Sequence, residues 1–172
     1  MSAISLVAPG TAGCYGAAET VTISIKNNGT STIDFGVNNT TVTTNVTGVA
    51  TATLSAVLTS GTLAVGASQN VTMGTTLDMS ASGTYTFNAN TSVVGDGNPG
   101  NNAMSAASRT VIAPVAVPYL QDFSAGTFPA NWINGTTWSV ATGHGQTNSG
   151  LYKNLYSSVT TAQFTMVKLG SI

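Results

Sequence analysis

The residues best suited to chemistry lie in Asp96-Gly-Asn-Pro-Gly-Asn-Asn102, where a carboxylate and several side-chain amides stand at short spacing. Calcium prefers oxygen ligands of this kind, so Asp96, Asn98 and Asn101 are candidate ligands for a calcium ion. Only one carboxylate is present, however, and no acidic residue closes the loop. Asp and Asn also bond local backbone in turns, and this structural interpretation is favoured. It predicts that Asp96 accepts backbone N–H groups of residues 98–102.

A second candidate site is aromatic. The last third of the chain holds eight of its twelve aromatic residues. Trp132, Trp138, Tyr152 and Tyr156 could form a platform on which a sugar ring stacks. Aromatic side chains in a chain so poor in charge more often form core, and the core interpretation is favoured.

Catalytic chemistry has little support in this sequence. His144 is the only histidine, and no acid lies near it in Thr-Gly-His-Gly-Gln to orient it as a base. Nucleophilic catalysis needs a nucleophile, a base and an orienting acid, and the five acidic residues are widely scattered. Cys14 is the only cysteine, which excludes an internal disulfide and indicates a small loop or core residue. We therefore expect neither an enzyme nor a cofactor.

The charge content restricts the partners. The chain has four basic and five acidic residues, a net charge of −1 and no basic run, so nucleic-acid binding has no electrostatic basis. Its apolar runs are far shorter than the ~20 residues that span a bilayer, so no membrane insertion is expected. Thr, Ser, Asn and Gly make up about half of the chain. This uncharged polar composition predicts an extracellular or cell-surface location.

Alternation of apolar and polar residues predicts the elements that position these candidates. Val21, Ile23 and Ile25 alternate with polar residues, and turn residues follow at Asn27-Asn-Gly. About seven such strands, with turns every 8–12 residues, predict an all-β fold: an antiparallel β-sandwich of immunoglobulin type. The further predicted strands centre on residues 33–37, 42–46, 54–58, 71–73, 84–89 and 103–112, and a short apolar run lies at 4–7.

The segment Leu77–Asn102 is predicted to form a corner, a strand and a hairpin turn. Gly83 precedes Tyr85, and Tyr85 and Phe87 point to the same side of the predicted strand. In immunoglobulin-type sandwiches, a corner tyrosine at this place bonds backbone a few residues upstream. Tyr85 is either such a corner residue or an ordinary core tyrosine.

The domain organisation is predicted from two prolines and from the concentration of aromatic residues in the last third of the chain. Pro114 and Pro118 bracket a short stiff segment, because proline cannot sit in a central strand. We predict a β-sandwich over 1–113, a linker over 114–118, and the beginning of a second, incomplete β domain over 119–172. Strands of that second domain are predicted around residues 138–140, 151–156 and 163–169.

Both parts resemble known modules. Residues 14–112, with Glu19-Thr-Val-Thr-Ile-Ser-Ile-Lys-Asn-Asn-Gly and Leu77-Asp-Met-Ser-Ala-Ser-Gly-Thr-Tyr, resemble CARDB-like immunoglobulin modules. Residues 118–172, with Gly126-Thr-Phe-Pro-Ala-Asn-Trp and Trp138-Ser-Val, are similar to the start of a cleaved-adhesin (MAM-like) jelly roll. The resemblance implies a large secreted or surface protein of Bacteroidota, exported by type IX secretion. It also implies that Phe123, Phe128 and Trp132 pack the first strand of the jelly roll and its turn against the sheet.

Three functions remain open at this point. The leading hypothesis is a non-catalytic structural or adhesion module that acts as a spacer or display unit and contacts other protein domains or copies of itself. The second is a filament subunit whose incomplete second domain receives a strand from a neighbour. The third is a glycan-binding accessory module of a secreted hydrolase.

Overall fold

The protein is all-β. A computed structural model describes residues 1–11, 15–115, 120–132, 134–135, 138–145, 149–153, 164 and 166. The chain divides into two compact units, the first ending at Val111. Within the described part, the helical structure is a single 3₁₀ turn at Pro99–Asn101, and no helix there has the length and apolar character to cross a membrane.

The first unit contains two main antiparallel sheets. Its strands are β1 (Ser2–Ala8), β2 (Thr22–Lys26), β3 (Ile33–Asp34), β4 (Thr40–Gly48), β5 (Ala52–Leu58), β6 (Thr62–Leu63), β7 (Ser68–Thr72), β8 (Gly83–Val93) and β9 (Ala107–Val111). One sheet has the order β1-β2-β7 and the other β5-β4-β8-β9, while β3 and β6 form a short pair. These seven main strands confirm the prediction of an all-β fold with antiparallel sheets, and the arrangement is consistent with a sandwich. The immunoglobulin type of that sandwich stays a prediction.

Side-chain alternation explains how the sheets hold together. Val21, Ile23 and Ile25 are fully buried on one side of β2, and Val42 and Val46 are fully buried on one side of β4. Both sheets contribute to one hydrophobic cluster, and the side chains between the buried ones point outward. Burial of a large aliphatic or aromatic side chain contributes about 1.5–3 kcal/mol, so this shared core is what stabilises the unit.

Two strands of the first unit are shorter than predicted. The run at residues 33–37 is a strand only at Ile33–Asp34, because Asp34 folds the chain into a turn. Its carboxylate accepts the N–H of Gly36 at 2.8 Å and its carbonyl accepts the N–H of Asn38 at 2.8 Å. Phe35 remains buried in that turn, while Val37 is 77% exposed. The return strand predicted from residue 103 begins at residue 107, after an isolated bridge between Ala103 and Asn90.

In the second unit, β10 (Ser139–Thr142) starts one residue after the predicted position. It pairs in an antiparallel hairpin with β11 (Ser149–Tyr152), which begins two residues before the strand predicted at residues 151–156 and ends at Tyr152. Near its turn, a Cβ at Gly150 would lie 2.5 Å from the carbonyl oxygen of His144, so this position requires glycine. The strand predicted at residues 163–169 lies outside the described residues, apart from residues 164 and 166.

Candidate functional site

The corner before β8 is closed by a tyrosine. Tyr85 is 1% exposed, and its hydroxyl donates a hydrogen bond to the carbonyl of Ala81 at 3.0 Å. Phe87, two residues further along the same face, is also fully buried. Gly83 has a φ of 129°, and a Cβ there would lie 2.3 Å from Cγ2 of Val49. Glycine at position 83 permits this backbone conformation, and the Tyr85 hydroxyl ties the preceding turn to β8.

At the other end of β8, Asp96 fixes the hairpin turn. Its Oδ1 accepts the backbone N–H of Asn98 at 3.0 Å, and the amino group of Met1 lies 3.4 Å from its Oδ2. The bond from the Asn98 N–H, together with the Met1 amine and the Asn102 side chain, holds the pKa of this carboxyl below its usual range. The Asp96 side chain therefore holds the turn by accepting the backbone N–H two residues further on, as in an Asx turn.

The same turn offers a calcium ion few ligands. The orientation of the Asn101 amide that satisfies its surroundings points its nitrogen at the carbonyl oxygens of Asn98 and Met1, at 2.8 and 3.1 Å. A nitrogen that donates to carbonyls cannot present an oxygen to a cation in the same direction. Among the described residues, no group of three His, Cys, Asp or Glu side chains comes together as metal ligands would. These contacts favour the turn interpretation, and a calcium site at Asp96, Asn98 and Asn101 stays a prediction.

This turn instead forms one wall of a cleft at the end of the first unit, which we call the end cleft. Residues 93–98 line one side and residues 27–33 the other, with Met1, Asn38 and Asn101 completing the lining. Its volume is about 490 Å³. Pockets that hold small ligands commonly measure about 300–1,000 Å³, so the end cleft is large enough for a small molecule.

Asn27 holds the loop that forms the second wall. The residue is fully buried, and its Nδ2 donates to the carbonyls of Ser31 and Leu63, both at 2.9 Å. Its Oδ1 accepts the N–H of Gly29 at 2.9 Å. A buried amide with all of these bonds made is a rigid support. The sequence showed Asn27 only as part of a turn, since burial of a single Asn leaves no pattern in a chain rich in Asn.

The aromatic candidates of the second unit lie mostly in a cluster. Trp132 and Trp138 are half-buried, and the rings of Phe123 and Phe128 meet Trp132 edge-on at 5.8 and 6.0 Å. Phe164 stacks nearly parallel to Trp132 at 5.5 Å and meets Trp138 edge-on. Because Phe164 stacks on Trp132, that ring face is not open to a sugar. The contacts favour the core interpretation, although glycan binding at Trp132 and Trp138 stays a prediction.

Tyr152 is separate from that cluster. It lies on β11, is 36% exposed, and its ring is 4.3 Å from the ring of His144. His144 itself is exposed in the turn between β10 and β11. Cys14 and Tyr156 lie outside the described residues.

The outer face of the four-stranded sheet was not predicted from the sequence. In register across β5, β4, β8 and β9, one side of this sheet presents fourteen residues, of which thirteen are Thr, Ser or Asn and none is charged. The outer face, as we use the term, consists of Thr41, Thr43, Asn45, Thr47, Thr53, Ser55, Val57, Thr84, Thr86, Asn88, Asn90, Ser92, Ser108 and Thr110. The sequence contained the signal, since the polar positions of each strand lack charge, but cross-strand register was needed to join them.

Comparison with known proteins identified no related protein. No family model, curated protein or solved structure matches the chain. The CARDB-like and cleaved-adhesin-like identities therefore stay predictions.

Proposed function

We propose that this chain is a non-catalytic structural and adhesion module of an extracellular or cell-surface protein, a spacer that displays the outer face to copies of itself. The observation that supports the proposal is the uncharged outer face. Natural surfaces are usually rich in charge, with both signs interspersed. Here the charged residues of the first unit all lie elsewhere, at Glu19, Lys26, Asp34, Asp78, Asp96 and Arg109.

The outer face is complementary to a second copy of itself. Hydroxyl and carboxamide groups both donate and accept hydrogen bonds, so two identical faces can pair without a mismatch of donors or acceptors. Without charges, the two copies meet no like-charge repulsion. Part of the hydrogen-bonding capacity is already used between strands, as in the 2.9 Å bond from Thr53 Oγ1 to Asn45 Oδ1.

Such a contact is weak for a single pair of molecules. The face contains one large apolar residue, Val57, which is 55% exposed, so it lacks the buried apolar anchors that dominate tight interfaces. Many weak contacts act together when modules are held on a surface, because each later contact forms at high effective concentration. A monomer in solution that adheres when displayed in many copies is the expected behaviour.

Filament assembly through strand addition is the alternative that β5 supports. This edge strand has seven residues with no charge, no proline and no bulge, and such edges are templates for pairing. One of its backbone groups is occupied, since the N–H of Gly74 donates to the carbonyl of Ser55 at 3.0 Å. Among the described residues, β1 is a less regular edge, with two register shifts in its pairing.

The mass of the protein in solution distinguishes the display module from the filament subunit. A display module elutes at its own mass of 17.2 kDa at micromolar concentration and causes beads that carry many copies to clump. A filament subunit forms concentration-dependent polymers without any bead. A strictly monomeric protein whose coated beads stay dispersed would contradict both.

A further inference from the structure

The hydrogen-bonding side chains that line the end cleft are almost all neutral. Asn28, Thr30, Ser31, Thr32, Asn38 and Asn98 contribute side chains to its lining. Asp96 supplies its only charged side chain, and the Met1 ammonium, which also lines the cleft, lies 3.4 Å from that carboxylate. We propose that the end cleft binds a neutral sugar, of the size of a mono- or disaccharide, through these groups.

Several of these groups have hydrogen-bonding capacity left. Asn28 uses its Nδ2 to reach the hydroxyl of Ser2 at 2.8 Å, which leaves its Oδ1 for a ligand. Asn98 and Thr30 are exposed. A carboxylate offers about four acceptor positions, and the Asp96 carboxylate uses them toward Asn98, Met1 and the Asn102 side chain, which leaves about one for a ligand. Sugar hydroxyls donate and accept, so they match a wall that mixes carboxylate, amide and hydroxyl groups.

The charge of the cleft selects against other small ligands. The cation that lines the cleft, the Met1 ammonium, lies 3.4 Å from the Asp96 carboxylate and is paired with it. A phosphate, sulfate or carboxylate would therefore find no unpaired cation there and would lie close to that carboxylate. A wholly apolar ligand would cover the amides of Asn38 and Asn98 without replacing their bonds to water. Val94, which is 79% exposed, and the half-buried Val93 offer apolar contact of the kind that the C–H face of a sugar needs.

The walls are already shaped for a ligand. Asn27 holds the loop at residues 27–33 through three hydrogen bonds, and Asp96 fixes the opposite turn. A preformed site avoids the cost of ordering loops on binding. The cleft is open and has no aromatic platform, so we expect a Kd on the order of 1 mM. This site lies apart from the outer face, so its test is independent of adhesion.

The test is a ¹⁵N-NMR titration of the whole chain with neutral maltose, cellobiose and mannobiose, and separately with glucuronate. At least one neutral sugar should give saturable shifts at the backbone amides of Gly29, Gly95 and Gly97 and at the side-chain amide of Asn98. Glucuronate should bind at least about threefold more weakly, because its carboxylate would lose water without gaining an unpaired cation in the cleft. Asn98→Ala should raise the Kd of the neutral sugar about threefold or more. Asn88→Ala, on the outer face, should leave that Kd unchanged.

Three results would overturn the proposal. The first is the absence of saturable shifts at about 100 mM of every neutral sugar, where a millimolar site is full. The second is glucuronate binding as tightly as the neutral sugars. The third is a response confined to the Trp138 indole or spread over the outer face, which would place the ligand elsewhere. The melting temperature of Asn98→Ala shows that a lost response is not a loss of fold.

Discussion

The hydroxyl of Tyr85 reaches back over the turn before β8 to the carbonyl of Ala81, four residues upstream, at 3.0 Å. The ring below that hydroxyl is buried among both sheets, with Tyr85 itself 1% exposed. One side chain therefore ties the entry of the longest strand to the core. Because β8 pairs with both β4 and β9, its position sets the register of the whole outer face.

Removal of that hydroxyl should destabilise the first unit modestly. Tyr85→Phe keeps the buried ring and loses one hydrogen bond, so we expect a decrease of about 0.5–1.5 kcal/mol in the free energy of unfolding. Thr86→Ala, on the outward side of the same strand, is the control and should change it by less than about 0.5 kcal/mol. Urea denaturation measures both. Equal midpoints for Tyr85→Phe and the unmodified protein would show that the corner bond contributes nothing.

Gly48 should tolerate a side chain much less well than Gly66. Its φ is 108°, and a Cβ there would lie 2.2 Å from the carbonyl oxygen of Thr84. Gly66 also has a positive φ, of 74°, but has open space where a Cβ would stand. Gly66→Ala should cost about 1–2 kcal/mol from backbone conformation alone, and Gly48→Ala clearly more, because β4 and β8 must separate. Thermal melting of the two variants provides the comparison, and similar losses would contradict this account.

Replacement of Asn27 should destabilise the fold much more than replacement of its neighbour Asn28. Asn27→Ala leaves the carbonyl of Leu63 without its donor inside the protein, and an unsatisfied buried group costs about 1–3 kcal/mol. Asn28 is exposed, so Asn28→Ala should cost less than about 0.5 kcal/mol. Chemical denaturation measures the loss of stability in both variants. If Asn27→Ala leaves too little folded protein, hydrogen exchange at Gly29 in the milder Asn27→Ser variant should report the loosened loop.

Acid should destabilise the fold through its Asx turns. Hydrogen bonds from Asn98 to Asp96, and from Ser80 to Asp78, hold the pKa values of both carboxyls below the unfolded value of about 3.9. A depressed folded pKa adds stability that is complete above about pH 4 and is lost as pH falls through the folded pKa. The melting temperature should be flat from pH 8 to 5 and fall below about pH 4. Asp96→Asn should remove part of that fall, and a rise in melting temperature below pH 4 would contradict the assignment.

Much of the fold could be predicted from local sequence patterns. Alternation in Val21, Ile23 and Ile25 placed β2, and Tyr85 and Phe87 are buried on the predicted face of β8. Alternation failed at Phe35 and Val37, because the side chain of Asp34 competed with the strand for the backbone of Gly36. That competition depends on local geometry which a pattern of apolar residues does not record.

The candidate sites were harder to predict because they depend on distant contacts. Asp96 was predicted to hold a turn, and it accepts the N–H of Asn98. The end cleft needs the loop after β2 and the turn after β8 to face each other, which no spacing in the sequence indicates. The outer face likewise needs the register that pairs Thr43 with Ser55 on one side and Asn90 on the other.

The central claim, that the outer face mediates contact between copies, is tested most directly by adding charge to it. Beads that carry many copies should clump equally in low salt and in 1 M salt, since the face has no ions to screen. Ser55→Lys with Asn88→Lys should abolish the clumping in low salt through like-charge repulsion. Thr59→Lys with Ser105→Lys, exposed positions outside the face, adds the same charge and should preserve it. Equal clumping of both double variants would contradict the claim.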